Sequence, residues 1–331
     1  YVVHIYLYML KGYTMNSIEK FQTLLILLSV VTGLVLGQFN LFEAHAASFI
    51  LPFLMLMLYG LFLAVPFKNL KAAFRNRTFL TTSILINFIW TPILAWCLGA
   101  VFLSEYPALW LGFILLLVTP CTDWYLIFTA IAKGNMSLAT SVLPINLILQ
   151  VLLLPIYLLL FAGTMESIRL STVVESVVFV LVIPFLAASF TRYLSKSKEA
   201  FLEKKIIPFF ASAQLVFLSL AIVAMFASQG SYLIRHLDVI ALLLLPLLLF
   251  FIINFIVAQT IGKVFKFNYE TTASLNLTII ARNSPVALAI VLTAFSDQPL
   301  IALALIIGPL IELPVLAIVA QTLLRIRKRK T

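Results

Sequence analysis

Two segments of the sequence place charged and polar side chains beside a proline inside a long apolar run. They contain Pro120, Cys121, Thr122 and Asp123 in the first segment, and Arg282, Asn283, Ser284 and Pro285 in the second. An ionised group in such a run costs about 2.5–3.5 kcal/mol on membrane-insertion scales, so it is retained where it is paired or lines a ligand site. We therefore predict that Asp123 and Arg282 pair with each other, either at a ligand site or for structure alone.

Each of these prolines is predicted to interrupt a helix. Proline has no N–H donor and its ring clashes with the preceding turn, so helices are expected to break near Pro120 and Pro285. The N-terminus of a half-helix offers N–H groups to anions, and its C-terminal carbonyls favour cations. The two breaks are therefore predicted to form one binding site from these residues: Cys121, Thr122, Asp123, Arg282, Asn283 and Ser284.

Cys121 and Glu312 each allow two interpretations. A thiolate at position 121 would be a soft ligand for a metalloid, but a cysteine can also be a small apolar filler. Glu312 could carry protons, as Asp123 could, or it could hydrogen-bond a neighbouring helix near Pro314. Cys97 has no polar neighbours and is predicted to be a packing residue. The two cysteines suggest neither a disulfide framework nor a metal site, and no cofactor is predicted.

The elements that carry these residues are predicted to be membrane-spanning helices. The 331-residue chain is 63% hydrophobic and 10% charged, whereas soluble proteins average about half apolar and a quarter charged residues. Apolar runs of roughly 20 residues, enough to cross a bilayer core of about 30 Å, recur without period-two alternation. The pattern predicts ten spans, at about 21–37, 44–66, 78–103, 106–132, 136–162, 170–191, 206–227, 238–262, 270–295 and 299–324.

The basic residues predict the orientation of these spans. With both termini on one side, that side holds every Lys and Arg except Arg169, Arg235 and Arg282. The positive-inside rule makes this side cytoplasmic, and we expect the membrane to be the plasma membrane. The net charge of +10 therefore reflects topology and not a nucleic-acid partner.

The two halves of the chain share a weak internal repeat. Ile86-Asn87-Phe88-Ile89 in the third span recurs at residues 253–256 in the eighth, and the prolines of the fourth and fifth spans recur in the ninth and tenth. A repeat of five spans must enter the membrane from the opposite side, which predicts inverted repeats at about 21–162 and 170–324. We accordingly divide the chain into an upstream or non-native extension (1–14), one transmembrane transporter domain (15–325) and a basic cytoplasmic tail (325–331).

At the two breaks the chain resembles the superfamily of bile acid/sodium symporters and arsenical-resistance-3 transporters. Pro120-Cys121-Thr122 is similar to the Pro-Cys-Thr of the arsenite exporters, whose cysteine is implicated in transport. Lys133-Gly134-Asn135 and Asn283-Ser284 resemble the bile-acid branch. The resemblance covers nearly the whole chain after Met15. It implies an all-α membrane protein with ten spans, in which the broken fourth and ninth helices cross.

The sequence departs from this superfamily where sodium would bind. The symporters have a glutamate shortly before the ninth-helix break, at the position of Thr278, and a Ser-Asn pair at the positions of Tyr125 and Leu126. The arsenite exporters have a glutamate just after the break, where this chain has Pro285. Arg282 would place a fixed positive charge where the symporters hold a bound cation. We therefore predict transport that is not sodium-coupled, and is instead proton-coupled or uniport.

These observations predict a secondary active transporter of a small anionic or metalloid solute and argue against an enzyme. The leading hypothesis is efflux of arsenite or antimonite, and the alternative is bile-acid-type symport of organic anions with sodium. An enzyme would need a catalytic constellation, whereas His4, His45 and His236 lie in the extension or in predicted loops. There is no phosphate-binding glycine loop and no channel filter motif. The predicted partners are lipid, the solute, and a proton or sodium counter-ion.

Overall fold

The described part of the chain consists of helices and short connections. A computed structural model describes residues 22–65, 76–122, 124–162, 175–176, 178–195, 199–235, 237–295 and 298–328. The predicted extension at 1–14, the end of the predicted tail at 329–331 and the predicted site residue Asp123 lie outside the described residues.

The helices follow one another along the sequence with short connections. They are α1 (Gln22–Leu36), α2 (Asn40–His45), α3 (Ala47–Ala64), α4 (Arg77–Phe102), α5 (Pro107–Leu117), α6 (Trp124–Ile131), α7 (Met136–Ala162), α8 (Val178–Leu194), α9 (Ile207–Arg235), α10 (Leu237–Val264), α11 (Tyr269–Ile280), α12 (Ser284–Ala294) and α13 (Pro299–Lys328). Single π-helical turns occur inside α4, at the start of α8 and just before α9, at Ile86–Trp90, Val178–Val182 and Leu202–Ile206.

The helices have the length and composition of membrane-spanning elements. Within the described residues, six segments are long and apolar enough to cross a bilayer, and they lie in α3, α4, α7, α10, α13 and the region 202–228. Shorter apolar helices include α5, α8 and α12. The chain is therefore a helical integral membrane protein, and its helix bounds follow the predicted spans within a few residues over most of their length.

The predicted interruptions are present, but two other features differ from prediction. Within the fourth and ninth predicted spans, α5 is separated from α6 and α11 from α12. The last helix continues to Lys328, so the start of the predicted tail is helical, with its basic residues favourably placed at the C-terminal dipole. Cys97 is exposed, so the packing prediction was wrong. An apolar residue that faces lipid is as hydrophobic as one in the core, and hydropathy cannot separate the two.

The described residues form two compact units. Unit 1 comprises those within 1–65, 169–237 and 288–302, and unit 2 comprises those within 66–168, 238–287 and 303–331. Within unit 1, α9 packs against α1 and α3, and α8 packs against α3. Arg192 of α8 ties this packing together, because its Nη2 donates to the carbonyls of Leu63 and Val65 at the C-terminal end of α3.

In unit 2, Lys133 and Gly134 end α6 with a complete Schellman motif. The N–H of Lys133 donates to the carbonyl of Ala130 at 3.0 Å, and the N–H of Gly134 donates to that of Thr129 at 2.8 Å. Lys133 occupies the left-handed position with φ of 55°, where glycine is the usual residue. The motif satisfies carbonyls that the end of α6 would otherwise leave unpaired.

Gly134 and Asn135 then join α6 to its neighbours. A Cβ on Gly134 would lie 2.8 Å from Thr129 Cγ2 and 2.9 Å from Ser274 Oγ, so the close approach of α11 requires glycine. Asn135 caps α7 by accepting a hydrogen bond from the N–H of Leu138 at 3.1 Å. The Lys-Gly-Asn sequence thus ends α6, allows α11 to pack closely and starts α7.

Replacing Gly134 with alanine should destabilise unit 2. The added methyl group must displace both Thr129 and Ser274, an overpacking change that typically costs about 1–3 kcal/mol. Lys133→Gly is the matched control. It places glycine at the neighbouring position, where the backbone is left-handed, and should not lower stability. Thermal unfolding of the purified variants in detergent measures both effects. Wild-type stability of Gly134→Ala would contradict the close approach of α11.

Candidate functional site

The two interruptions lie side by side in unit 2. Among the described residues, the first runs over residues 118–122 and the second over residues 281–283. Pro120 and Arg282 face each other in an isolated antiparallel bridge. Helices α5 and α11 therefore both end at this bridge, and helices α6 and α12 both begin beside it.

Backbone groups of the two unwound segments satisfy each other across the bridge. The N–H of Cys121 donates to the carbonyl of Ala281 at 3.0 Å, and the N–H of Asn283 donates to that of Thr119 at 2.7 Å. Irregular backbone inside a membrane protein is tolerated only where such partners exist. On the first segment the pairing uses the carbonyl of Thr119 and the N–H of Cys121, which flank Pro120, so the missing N–H of Pro120 leaves no gap.

Thr119 and Arg282 complete the C-terminal end of α5. Its last four carbonyls, at residues 114–117, have no acceptor role inside the helix and need other donors. The N–H of Val118 donates to the carbonyl of Ile114 at 2.9 Å. Thr119 Oγ1 donates to the carbonyls of Leu115 at 3.1 Å and Leu116 at 3.0 Å. Arg282 Nη1 lies 2.9 Å from the last. All four carbonyls are therefore hydrogen-bonded.

The guanidinium of Arg282 joins the C-terminal ends of both broken helices. Its Nη1 donates to the carbonyl of Leu117 at the end of α5, and its Nη2 donates to the carbonyl of Ile279 at the end of α11. Nη2 also lies 3.3 Å from Asn87 Oδ1. Arg282 is only 2% exposed. Since helix C-termini carry partial negative charge, the buried guanidinium is stabilised by two dipoles at once.

Two further helices contribute groups that surround this cation. The ring of Phe250 in α10 lies 5.0 Å from Arg282 Cζ, a cation–π contact. Asn87 belongs to the π-helical turn of α4, a local distortion that often occurs at functional sites. The repeated asparagine, Asn254, holds α4 and α10 together by accepting a hydrogen bond from Trp90 Nε1 at 3.2 Å.

Glu312 of α13 holds the backbone of the second break. Its Oε1 accepts a hydrogen bond from the N–H of Arg282 at 2.7 Å, and the side chain is 4% exposed. This hydrogen bond is made to the unwound segment between α11 and α12 and not to a helix, so the predicted bond to a neighbouring helix stays a prediction. The role of Glu312 as a proton carrier also stays a prediction.

The remaining described residues of the predicted site come together at the bridge. Asn283 Nδ2 donates to Thr122 Oγ1 at 3.1 Å, and both side chains are buried, as are Cys121 and Ser284. Ser284 starts α12, so Pro285 lies in the first turn, where a backbone N–H has no acceptor within the helix. The predicted Asp123–Arg282 pair lies outside the described residues. Within the described part of the chain, Arg282 Nε has no hydrogen-bond partner.

The arrangement separates the two polarities of the broken helices. The C-terminal carbonyls of α5 and α11 are bonded to Arg282, while the N-termini of α6 and α12 begin beside Cys121, Thr122 and Ser284. Such N-termini attract anionic or oxygen-rich solutes. Three residues that build the site, Asn87, Thr119 and Phe250, were not predicted as members. Only Asn87 had a signal, as part of the internal repeat.

Comparison with known proteins identifies the family. Residues 51–236, more than half of the chain, match the Sodium Bile acid symporter family. This chain belongs to the Sodium Bile acid symporter family. Membership makes it a membrane transporter, in agreement with its apolar helices.

Some relatives of this chain have more specific names. "Arsenical-resistance protein Acr3" of Corynebacterium glutamicum is 26% identical over 92% of this chain and 88% of its own length. The protein of the same name from Alkaliphilus metalliredigens is 22% identical over 96% of this chain and 94% of its own length. An uncharacterised transporter of Synechocystis is 24% identical over 94% and 89% of the two chains.

Substituting Arg282 by lysine should destabilise the protein although the charge is kept. An ammonium is a point donor and cannot span the carbonyls of Leu117 and Ile279 as the planar guanidinium does. Leaving one of these buried acceptors unsatisfied costs about 1–3 kcal/mol. Arg77→Lys, at an exposed position in the first turn of α4, is the matched control and should change stability by less than about 0.5 kcal/mol. Equal unfolding midpoints for the two variants would contradict the bridging role.

Proposed function

We propose that this chain is a secondary active transporter that exports trivalent arsenite or antimonite without sodium coupling. The proposed plan has ten spans in two inverted repeats, with both termini in the cytoplasm and broken helices 4 and 9 crossing at the site. The observation that carries the proposal is the guanidinium of Arg282, bonded to the C-terminal carbonyls of both broken helices. The paired breaks and the helix bounds support the plan.

Arg282 takes the place that a coupling cation would need. In transporters with broken helices, unwound carbonyls and half-helix C-termini coordinate sodium. Here those carbonyls accept hydrogen bonds from a covalently attached cation, and a second positive charge a few ångströms away would be strongly repelled. Thr278, at the position of the symporters' glutamate, donates to the carbonyl of Ser274 at 2.7 Å and brings no negative charge. The carbonyls of Leu117 and Ile279 are therefore already hydrogen-bonded, and position 278 offers no carboxylate to a sodium ion.

The residues beside the bridge suit a trivalent metalloid. Cys121 is buried at the break, and thiolate sulfur is a soft ligand. Its thiol can displace one hydroxyl of As(OH)3: an S–As bond forms, an As–O bond breaks, and the thiol proton leaves with that hydroxyl as water. Thr122 and Asn283 can hydrogen-bond the remaining hydroxyls. The names of the Corynebacterium and Alkaliphilus relatives favour the same solute.

Organic-anion symport with sodium is the second candidate. The family description names it, and the two half-helix N-termini would suit a carboxylate or sulfate group. The two candidates differ in their requirement for sodium, so one assay separates them.

The first test measures metalloid transport in everted membrane vesicles whose sodium is replaced by potassium. Wild-type vesicles should accumulate arsenite equally well in either salt. Cys121→Ser should lower transport at least about tenfold, the effect of losing roughly 1.4 kcal/mol of ligand binding. Cys97→Ser, at an exposed cysteine of the same unit, is the control and should leave transport unchanged.

Two results of that test would overturn different parts of the proposal. Strict sodium dependence would eliminate the proposed coupling and favour organic-anion symport. Arsenite would be ruled out as the substrate if wild-type vesicles did not transport it and cells that express the wild type did not tolerate it.

The second test asks whether protons drive the transport. We expect Asp123→Asn or Glu312→Gln to abolish arsenite accumulation driven by an imposed pH gradient, while exchange of internal for external arsenite continues. Glutamine at position 312 can still accept the N–H of Arg282, so the break should persist. Glu43→Gln, at an exposed acidic residue of α2, should behave as wild type. If both site variants still accumulate arsenite on a pH gradient, neither residue carries the coupled proton.

A further inference from the structure

A second group of polar residues lies in unit 2 at the ends of α6, α10 and α13, the side that the positive-inside rule predicts to be cytoplasmic. Two cavities occur there. One, of about 160 Å³, is lined by Gln259, Lys263, Lys266 and Tyr269 among others. The other, of about 450 Å³, is lined by Lys133, Gln321, Arg325, Arg327 and Lys328 among others. Neither lining contains an acidic side chain among the described residues.

Lys266 lies in a backbone conformation that favours glycine. Its φ is 53°, and it ends α10 in a Schellman motif: its N–H donates to the carbonyl of Lys263 at 3.2 Å, and the N–H of Phe267 donates to that of Gly262 at 2.8 Å. Lys133 has the same role at the end of α6. A non-glycine residue in the left-handed region is strained. At both positions the chain carries a strained lysine that lines a cavity.

Gln259 supplies an independent indication that the smaller cavity binds a ligand. Its Nε2 is buried and has no hydrogen-bond partner within the described residues. A buried donor without an acceptor is costly and uncommon in folded proteins. A rotation of the side chain that turned Nε2 toward the cavity would let an acceptor atom there satisfy it. Lys263 and Lys266 line the same cavity.

The linings of the two cavities touch at Tyr269 and Arg327. Tyr269 lines the smaller one and Arg327 lines the larger one, and Arg327 Cζ lies 5.5 Å from the centre of the tyrosine ring. The hydroxyl of Tyr269 donates to the carbonyl of Ala132 at 2.7 Å, next to Lys133. The two cavities are therefore neighbours, and the basic residues at the ends of α6, α10 and α13 line one or the other of them.

We propose that these cavities form a binding site for a phosphate group, held by Lys263, Lys266 and Gln259 and surrounded by the basic residues of the larger cavity. A phosphate presents several acceptor oxygens to donors that approach from different directions, and lysine and arginine are its usual partners. The group can belong to the headgroup of an anionic phospholipid or to soluble phosphate. Basic pockets between helices on the cytoplasmic side bind such headgroups.

The test measures binding by the full chain in a neutral detergent. The unfolding midpoint is followed while phosphatidylglycerol, or in a second series inorganic phosphate, is added at constant ionic strength. Wild type should show a saturable rise in at least one series. Lys266→Gly preserves the Schellman motif and should weaken the apparent affinity about tenfold, since a charge-assisted hydrogen bond is lost. Lys266→Arg should retain binding.

Two additional variants keep the test decisive. Gln259→Leu should also weaken binding and serves if Lys266→Gly unfolds. Lys204→Gln, an exposed basic position of unit 1 that lies outside both cavities, removes the same charge and should leave binding unchanged.

Each outcome has one meaning. A response to phosphatidylglycerol alone identifies a lipid headgroup, and a response to inorganic phosphate identifies a soluble ligand. The proposal is overturned if wild type shows no saturable response in either series. It is overturned equally if Lys266→Gly and Gln259→Leu bind as wild type, or if Lys204→Gln weakens binding as much as they do.

Discussion

In unit 2, the guanidinium of Arg282 donates to the carbonyls that end both α5 and α11. The remainder of the site depends on this contact. A helix that stops inside a membrane leaves its last carbonyls without donors, and water is not available to replace them. Thr119 and the N–H of Val118 serve three carbonyls of α5, but only the guanidinium reaches the last one and the α11 carbonyl together. Without it, the carbonyls of Leu117 and Ile279 would lose this shared donor.

Burying that cation constrains the helices around it. Its charge is compensated by two helix dipoles, by the carboxylate of Glu312 and by the face of the Phe250 ring. Asn87 reaches it from a π-helical turn of α4. Groups of α4, α5, α10 and α11 thus meet at one guanidinium, and Glu312 of α13 holds the backbone N–H of the same residue. The same contacts leave the two half-helix N-termini, with Cys121, Thr122 and Ser284, as the part of the break that can interact with a solute.

The sequence predicted the positions of the helices well because a span is defined by length and hydropathy, which single residues report directly. Proline beside polar residues also predicted both interruptions. The contacts of Arg282 were not predictable, because three of its neighbours are backbone carbonyls or a ring whose positions depend on packing. Prolines alone do not break these helices either: Pro155 and Pro314 lie inside continuous helices. Lys133 and Lys266 gave no sign of their left-handed backbone, where glycine would be expected.

The central claim is that a fixed guanidinium occupies the place of a coupling cation. The most direct measurement is the binding of radioactive sodium to the purified protein, with potassium as the competing background salt. We expect no saturable sodium binding, because the carbonyls of Leu117 and Ile279 already have a cationic donor. Saturable binding with a stoichiometry near one ion per chain would contradict it.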